Sequence, residues 1–241
     1  MQDSLYVALS AQVALERRLT TIADNVANAG TVGFRATQVK FEDVVTGAGG
    51  RSLSFVQTGG TYLSAAKGGF RETGNPFDFA IRGDAWFSVQ SPDGPIMTRD
   101  GRFSLTQEGT LVSTEGYPVL DPGGAPIQIE AAGGPIKVSP DGFIRQDGQQ
   151  VGAIGLFEFT PPENFQRYGN SGVVPPGAPE PVVDLQSAGV AQGFLEDANV
   201  NPVLEMSRLI MVQRAFESAT AAIRQTESTF GEAVKTLGGS S

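Results

Sequence analysis

The sequence predicts an α+β protein. A central antiparallel β domain, meander- or barrel-like, is flanked by long N- and C-terminal helices that form a coiled-coil-like assembly domain. Three observations predict it. All but five of the 31 glycines and all but Pro202 of the 15 prolines fall between positions 46 and 195, so long helices can form only at the two ends. Apolar residues at those ends recur at helical spacing. Between them, Asp-Gly and Glu-Gly turn signals recur at short, even intervals. The same shifts divide the chain into an N-terminal assembly helix (1–34), an extended linker or hairpin region (35–68), the β domain (69–195) and a C-terminal assembly helix (196–241).

The N-terminal helix is predicted over Ser4 to Asn28. Leu5, Ala8, Gln12, Leu15, Leu19, Ile22 and Val26 form one seam, with Gln12 its only polar member. Asp3 or Ser4 can cap its start, and Asn28 and Gly30 can end it. The C-terminal helix is predicted from Pro202 to Leu237. Leu209, Phe216, Ile223, Phe230 and Leu237 recur every seventh residue. Asn201 followed by Pro202 is a cap and a first-turn proline. Each apolar stripe must be buried against something. An intramolecular antiparallel pair, a coiled-coil dimer and packing against other copies in an assembly all satisfy that need.

The turns of the middle are Asp93-Gly94, Asp100-Gly101, Glu108-Gly109, Glu115-Gly116, Asp141-Gly142 and Asp147-Gly148, with short alternating runs between them. Ala153 to Phe159 reads as a buried strand. Phe77, Phe79, Trp86, Phe87, Phe103, Phe157 and Phe159 are the predicted core aromatics. Six prolines between 160 and 183 predict an irregular surface loop.

Composition narrows the function. The 241 residues carry a net charge of -9, against the basic face that nucleic-acid binding needs. The chain has no His and no Cys, which removes His bases, Ser-His-Asp and Cys-His systems, disulfides and the zinc sites built on those ligands. No segment approaches the ~18 apolar residues of a membrane span, and the start lacks the basic and apolar regions of a signal peptide. No Walker motif or dinucleotide fingerprint is present, and turn chemistry accounts for the Asp-Gly pairs without a metal. The predicted sets of catalytic, cofactor and metal residues are therefore empty. Arg17-Arg18, Arg99 and Arg102 read as solvated surface. Two terminal helices with apolar stripes around a β body suit assembly. A cytoplasmic coiled-coil adaptor is the alternative from another class, and an enzyme would need a pocket with convergent polar groups.

Specific words then appear. Ala23-Asp-Asn-Val-Ala-Asn-Ala-Gly-Thr-Val-Gly-Phe-Arg35 resembles the N-terminal signature of the bacterial flagellar basal-body rod and hook family, with Asp24 where the pattern has Asn. Glu196-Asp-Ala-Asn-Val-Asn-Pro-Val-Leu-Glu-Met-Ser-Arg-Leu-Ile-Met-Val-Gln-Arg-Ala-Phe-Glu217 resembles its C-terminal signature. Thr73 to Phe87 and Thr98 to Phe103 resemble the β domain of its longer members. The opening Leu5-Tyr-Val-Ala-Leu-Ser-Ala-Gln is similar to the proximal-rod branch, with the distal-rod branch as the alternative.

The resemblance implies a structural subunit that polymerises into a hollow helical drive shaft. Its partners would be copies of itself, neighbouring rod proteins including the distal-rod type, and the flagellar type III export apparatus. It would be located in the periplasmic rod of the basal body, without a cleaved signal peptide or direct membrane insertion. On the terminal seams and motifs, the implied assembly interface is Leu5, Leu15, Leu19, Ile22, Asn25, Val26, Asn28, Thr31, Gly33 and Phe34 at one end. At the other it is Asn199, Asn201, Met206, Leu209, Phe216, Ile223, Phe230 and Leu237. Phe41-Glu-Asp-Val-Val45 resembles the family's export-gate motif, with Phe41 and Val45 as its apolar positions.

Overall fold

Asn201 opens the C-terminal helix as a cap. Its side chain accepts a hydrogen bond from the Leu204 amide at 3.1 Å, and Pro202 fills the first helical position. A computed structural model describes residues 2–48, 51–183 and 188–239, without the side chains of residues 2–6, 42–58, 230, 233, 234 and 237. Those of Leu5, Val45, Phe230 and Leu237 thus lie outside the described residues.

The N-terminal helix α1 is Gln2–Ala27 and the C-terminal helix α2 is Pro202–Gly238. Among the described residues, seventeen strands lie between them. They run β1 (Thr37–Ala48), β2 (Arg51–Leu63), β3 (Phe70–Glu72), β4 (Phe79–Arg82), β5 (Phe87–Ser91), β6 (Gly94–Thr98), β7 (Phe103–Leu105), β8 (Leu111–Ser113) and β9 (Ile136–Val138). They continue with β10 (Phe143–Gln146), β11 (Gln149–Ala153), β12 (Phe157–Glu158), β13 (Gln166–Tyr168), β14 (Gly172–Val174), β15 (Glu180–Pro181), β16 (Gly189–Gln192) and β17 (Phe194–Glu196).

The chain forms two units. The first joins Met1–Ala27, Thr37–Tyr62 and Asn201–Ser241. Here α1 packs on both α2 and β1, and β1 pairs with β2 as a two-stranded ribbon. Ala14 and Ile22 of α1 and Val212 of α2 are buried, while Leu15, Leu19 and Val26 are half-buried, as are Leu209, Phe216 and Ile223.

The second unit joins Asn28–Ala36 and Leu63–Val200. At its centre Phe103 meets Phe79, tilted at 6.0 Å between ring centroids, and Phe87, edge-on at 5.2 Å. Ile81, Leu111, Val119 and Ile144 close around them. Trp86, Met97, Leu120 and Phe157 form a second cluster, with Phe159 edge-on to Trp86 at 5.5 Å. Phe77 and Phe159, both predicted core aromatics, are only partly buried against these clusters.

The expected architecture needs correction on both counts. The helices do not by themselves make a coiled-coil-like assembly domain. They differ in length, 26 residues against 37, and share their unit with the β1–β2 ribbon. The heptad stripe of α2 is only half-covered, because α1 meets just part of its circumference. The second unit is likewise neither one meander nor a barrel. Among the described residues its strands fall into six sheets of two to four strands. A turn every seven or eight residues leaves strands of two to five residues, too short for one continuous ladder. Pairing instead reaches across the sequence: β4 with β16, β3 with β17, and β6 with β14.

Two local expectations also change. Residues 160–183 hold β13, β14 and β15. Pro161-Pro162 and Pro175-Pro176 bracket a proline-free stretch, which closes as the β13–β14 hairpin. Within the run Ala153 to Phe159, Ile154 to Phe157 are buried, but the run is not one strand. At Gly155 the chain lies against the Leu120 carbonyl, and a Cβ there would sit 2.5 Å from that oxygen.

Candidate functional site

Three charged side chains are buried together in the second unit. Arg35 is 5% exposed, Arg99 2% and Glu196 1%. Arg35 follows the N-terminal signature turn, Arg99 follows β6, and Glu196 ends β17. Glu196 divides its carboxylate between the two cations. Its Oε1 lies 2.7 Å from Arg35 Nη2, and its Oε2 lies 3.1 Å from Arg99 Nη1. The Gly68 amide also donates to Oε1, at 3.2 Å.

Carbonyls take up more of the guanidinium protons. Arg99 donates to Gly83 O at 2.8 Å and Ile81 O at 3.2 Å, and Arg35 donates to Ala66 O. Burial holds both arginines below their ordinary value, Arg99 at about 10, and the neighbouring Arg35 adds to the shift of Arg99. Glu196 opposes the shift in both, through the ion pair it makes with each. The joint therefore holds two buried cations on one buried anion.

Backbone and amide contacts zip the two ends of the chain around this triad. The Gly33 amide donates to Glu196 O at 2.7 Å, and the Asn199 amide to Phe34 O at 3.2 Å. The Asn199 side chain accepts from the Ala36 amide and donates to Ala66 O, both at 2.7 Å. Phe34 is buried, and the Arg167 guanidinium stands 4.4 Å from its ring centroid. Thr31 donates its hydroxyl to Asn28 Oδ1 at 3.2 Å, holding the turn that precedes Gly33. Gly33 has φ +68°, and a Cβ there would fall 2.3 Å from Arg99 C and Asp100 N. Only glycine lets the turn lie this close.

The remaining motif residues act in the first unit. Asn25 is buried and grips Thr37 twice, accepting from its amide and donating to its carbonyl, each at 2.9 Å. Asn201 caps α2, Met206 is exposed, and buried Glu205 pairs with Arg208 at 2.5 Å. Phe41 is exposed, with the Arg18 guanidinium 5.8 Å from its ring centroid.

The structure thus brings Asn28, Thr31, Gly33, Phe34 and Asn199 together, and places the seam residues and Asn25 elsewhere. Sequence reasoning missed the triad. Arg99, read as solvated, is among the most buried charges of the chain. The available signal was position: Arg35 and Glu196 stand at the edges of the two signatures, and Arg99 follows the apolar run Ile96-Met97.

Comparison with known proteins matches three segments. Residues 5–35 match the family described as flagella basal body rod protein, and residues 80–146 the flagellar hook protein FlgE/F/G D1 domain. Residues 191–236 match the flagellar basal body rod FlgEFG protein C-terminal family. Over its full length and the relative's, the chain is 66% identical to the flagellar basal-body rod protein FlgF of Mesorhizobium japonicum. It is 54% identical to FlgF of Rhizobium meliloti, again over all of both chains. To the rod protein FlgG of Bacillus subtilis it is 32% identical, over 97% of this chain and 98% of that one.

The chain belongs to the flagellar basal-body rod protein family. As a rod-family protein it is a structural subunit of the flagellum, located in the basal body, and not an enzyme. Each matched segment gives the buried triad one residue: Arg35, Arg99 and Glu196. The family's two terminal signatures are therefore, in part, one buried joint.

Proposed function

We propose that this subunit is of the proximal-rod type. It builds part of a hollow helical shaft that crosses the periplasm, transmits torque and continues the export channel. The supporting observation is its similarity to relatives named FlgF, 38 to 66%, against 28 to 32% to relatives named FlgG. The joint suits a load-bearing part, because the chain enters and leaves the second unit side by side through Glu196, Asn199 and the Gly33 turn.

Copies and neighbouring rod proteins meet on the apolar helix faces that the first unit leaves uncovered. On α2 these are Val203, Leu204, Met206, Ile210 and Met211, each 47 to 74% exposed. On α1 they are Leu9 and Val13. An apolar stripe left in water is unfavourable, and burial in a heterologous, non-closing contact removes it. The assembly residues implied by the signatures divide accordingly: Leu15, Ile22 and Leu209 shape the helices, and Met206 touches neighbours. Phe41 and Val45 dock the unfolded chain at the type III export gate.

The test is a strain whose own copy is replaced by a tagged one. The tagged chain should co-purify with the rod fraction of basal bodies, and its deletion should abolish swimming. A motile deletion strain, or a chain absent from basal bodies, would refute the reading.

A further inference from the structure

Two strand pairs of the second unit place like charges directly opposite one another. In the β9–β10 pair, Lys137 faces Arg145. In the β12–β15 pair, Glu158 faces Glu180. All four side chains are exposed. Directly opposed residues on one sheet face hold their Cβ atoms about 5 Å apart, and like charges there are destabilising. Among the described residues, none of the four makes an ion pair or a side-chain hydrogen bond. The Asp141 carboxyl feels the charge of Arg145 but is hydrogen-bonded by the Ser139 hydroxyl.

We infer that the Lys137/Arg145 pair of one copy receives the Glu158/Glu180 pair of the next copy. Two cations carried on Cβ atoms about 5 Å apart match two carboxylates carried at the same Cβ spacing, and one contact relieves both repulsions. The two pairs are different patches of the same unit, so the contact is heterologous and leaves each copy with one free patch of each sign. That pattern propagates without closing. Basic residues are few in this chain, 17 against 26 acids, so an exposed basic pair is a specific address. The inference rests on the rod reading, in which copies adjoin. It adds a polar contact between β units to the apolar one between helices.

The chain has no cysteine, so introduced thiols report contacts without background. A chain carrying Lys137→Cys and Glu180→Cys keeps Arg145 and Glu158 and tests the pairing in isolated basal bodies under a mild oxidant. A ladder of disulfide-linked multimers is expected, with none from either single variant. Charge reversal gives the second measurement. Lys137→Glu/Arg145→Glu alone, or Glu158→Lys/Glu180→Lys alone, should lower incorporation about tenfold. Both reversals in one chain, or the two variants expressed together, should restore it. That rescue excludes misfolding as the cause of the loss. If the chain is present in basal bodies but gives no ladder, and the reversals incorporate normally, the contact is refuted and the rod reading stands. If the wild-type chain is absent from basal bodies, both fall together.

Discussion

Replacing Gly33 by Ala would force a left-handed φ on a residue with a side chain and drive its methyl into the Arg99–Asp100 backbone. The cost is about 3 kcal/mol or more, since neither backbone segment can yield alone. Urea unfolding followed by Trp86 fluorescence measures it, because Trp86 is the only tryptophan and lies 5.4 Å from the Arg99 guanidinium. Glu196→Gln leaves two buried cations without an anion and should cost about 3–5 kcal/mol by the same measurement. Replacing the whole triad by apolar residues of similar volume should cost far less than that single change. Gly33 and Phe34 were legible as special from the signature, because a Gly-aromatic pair after a helix end already implies a tight, anchored turn. The triad was not legible. Burial of Arg99 is decided by Glu196, far along the chain, and no local pattern records that pairing.

At the scale of elements, caps and clamps are testable one at a time. Asn201→Ala removes the side-chain acceptor of the Leu204 amide and should cost about 1 kcal/mol, seen as a lower midpoint of helix melting at 222 nm. Asn25→Ala loses both bonds that tie the last turn of α1 to Thr37. It should cost about 2 kcal/mol in the same measurement. The helices were readable because Pro and Gly punctuate their ends. Strand partners were not, because segments of two to five residues carry too little pattern to choose a partner a hundred residues away, as β3 and β4 do with β17 and β16. Hairpin turns were readable where both positions need positive φ, as at Asp147 (+51°) and Gly148 (+83°) between β10 and β11.

For the whole molecule, the two units carry separate reporters. Both helices belong to the first unit, and Trp86 belongs to the second. Denaturation followed by helical circular dichroism and by Trp86 fluorescence should give two transitions, the helical one at lower urea. Helices with a half-covered stripe have little packing to hold them in an isolated copy. A single coincident transition would show that the units unfold as one. The division into units was hidden in the sequence, because each is assembled from separated stretches of chain.

The joint also sets an order in time. Every polypeptide leaves the ribosome N-terminus first. Arg35 and Arg99 emerge early, but their anion is residue 196 of 241, and β16 and β17 arrive only just before it. Until then the first strands of the β unit lack partners and two guanidiniums lack a counter-charge. The late arrival of one carboxylate therefore works as a completion signal: the unit can lock only once Glu196 has been synthesised, near the end of the chain.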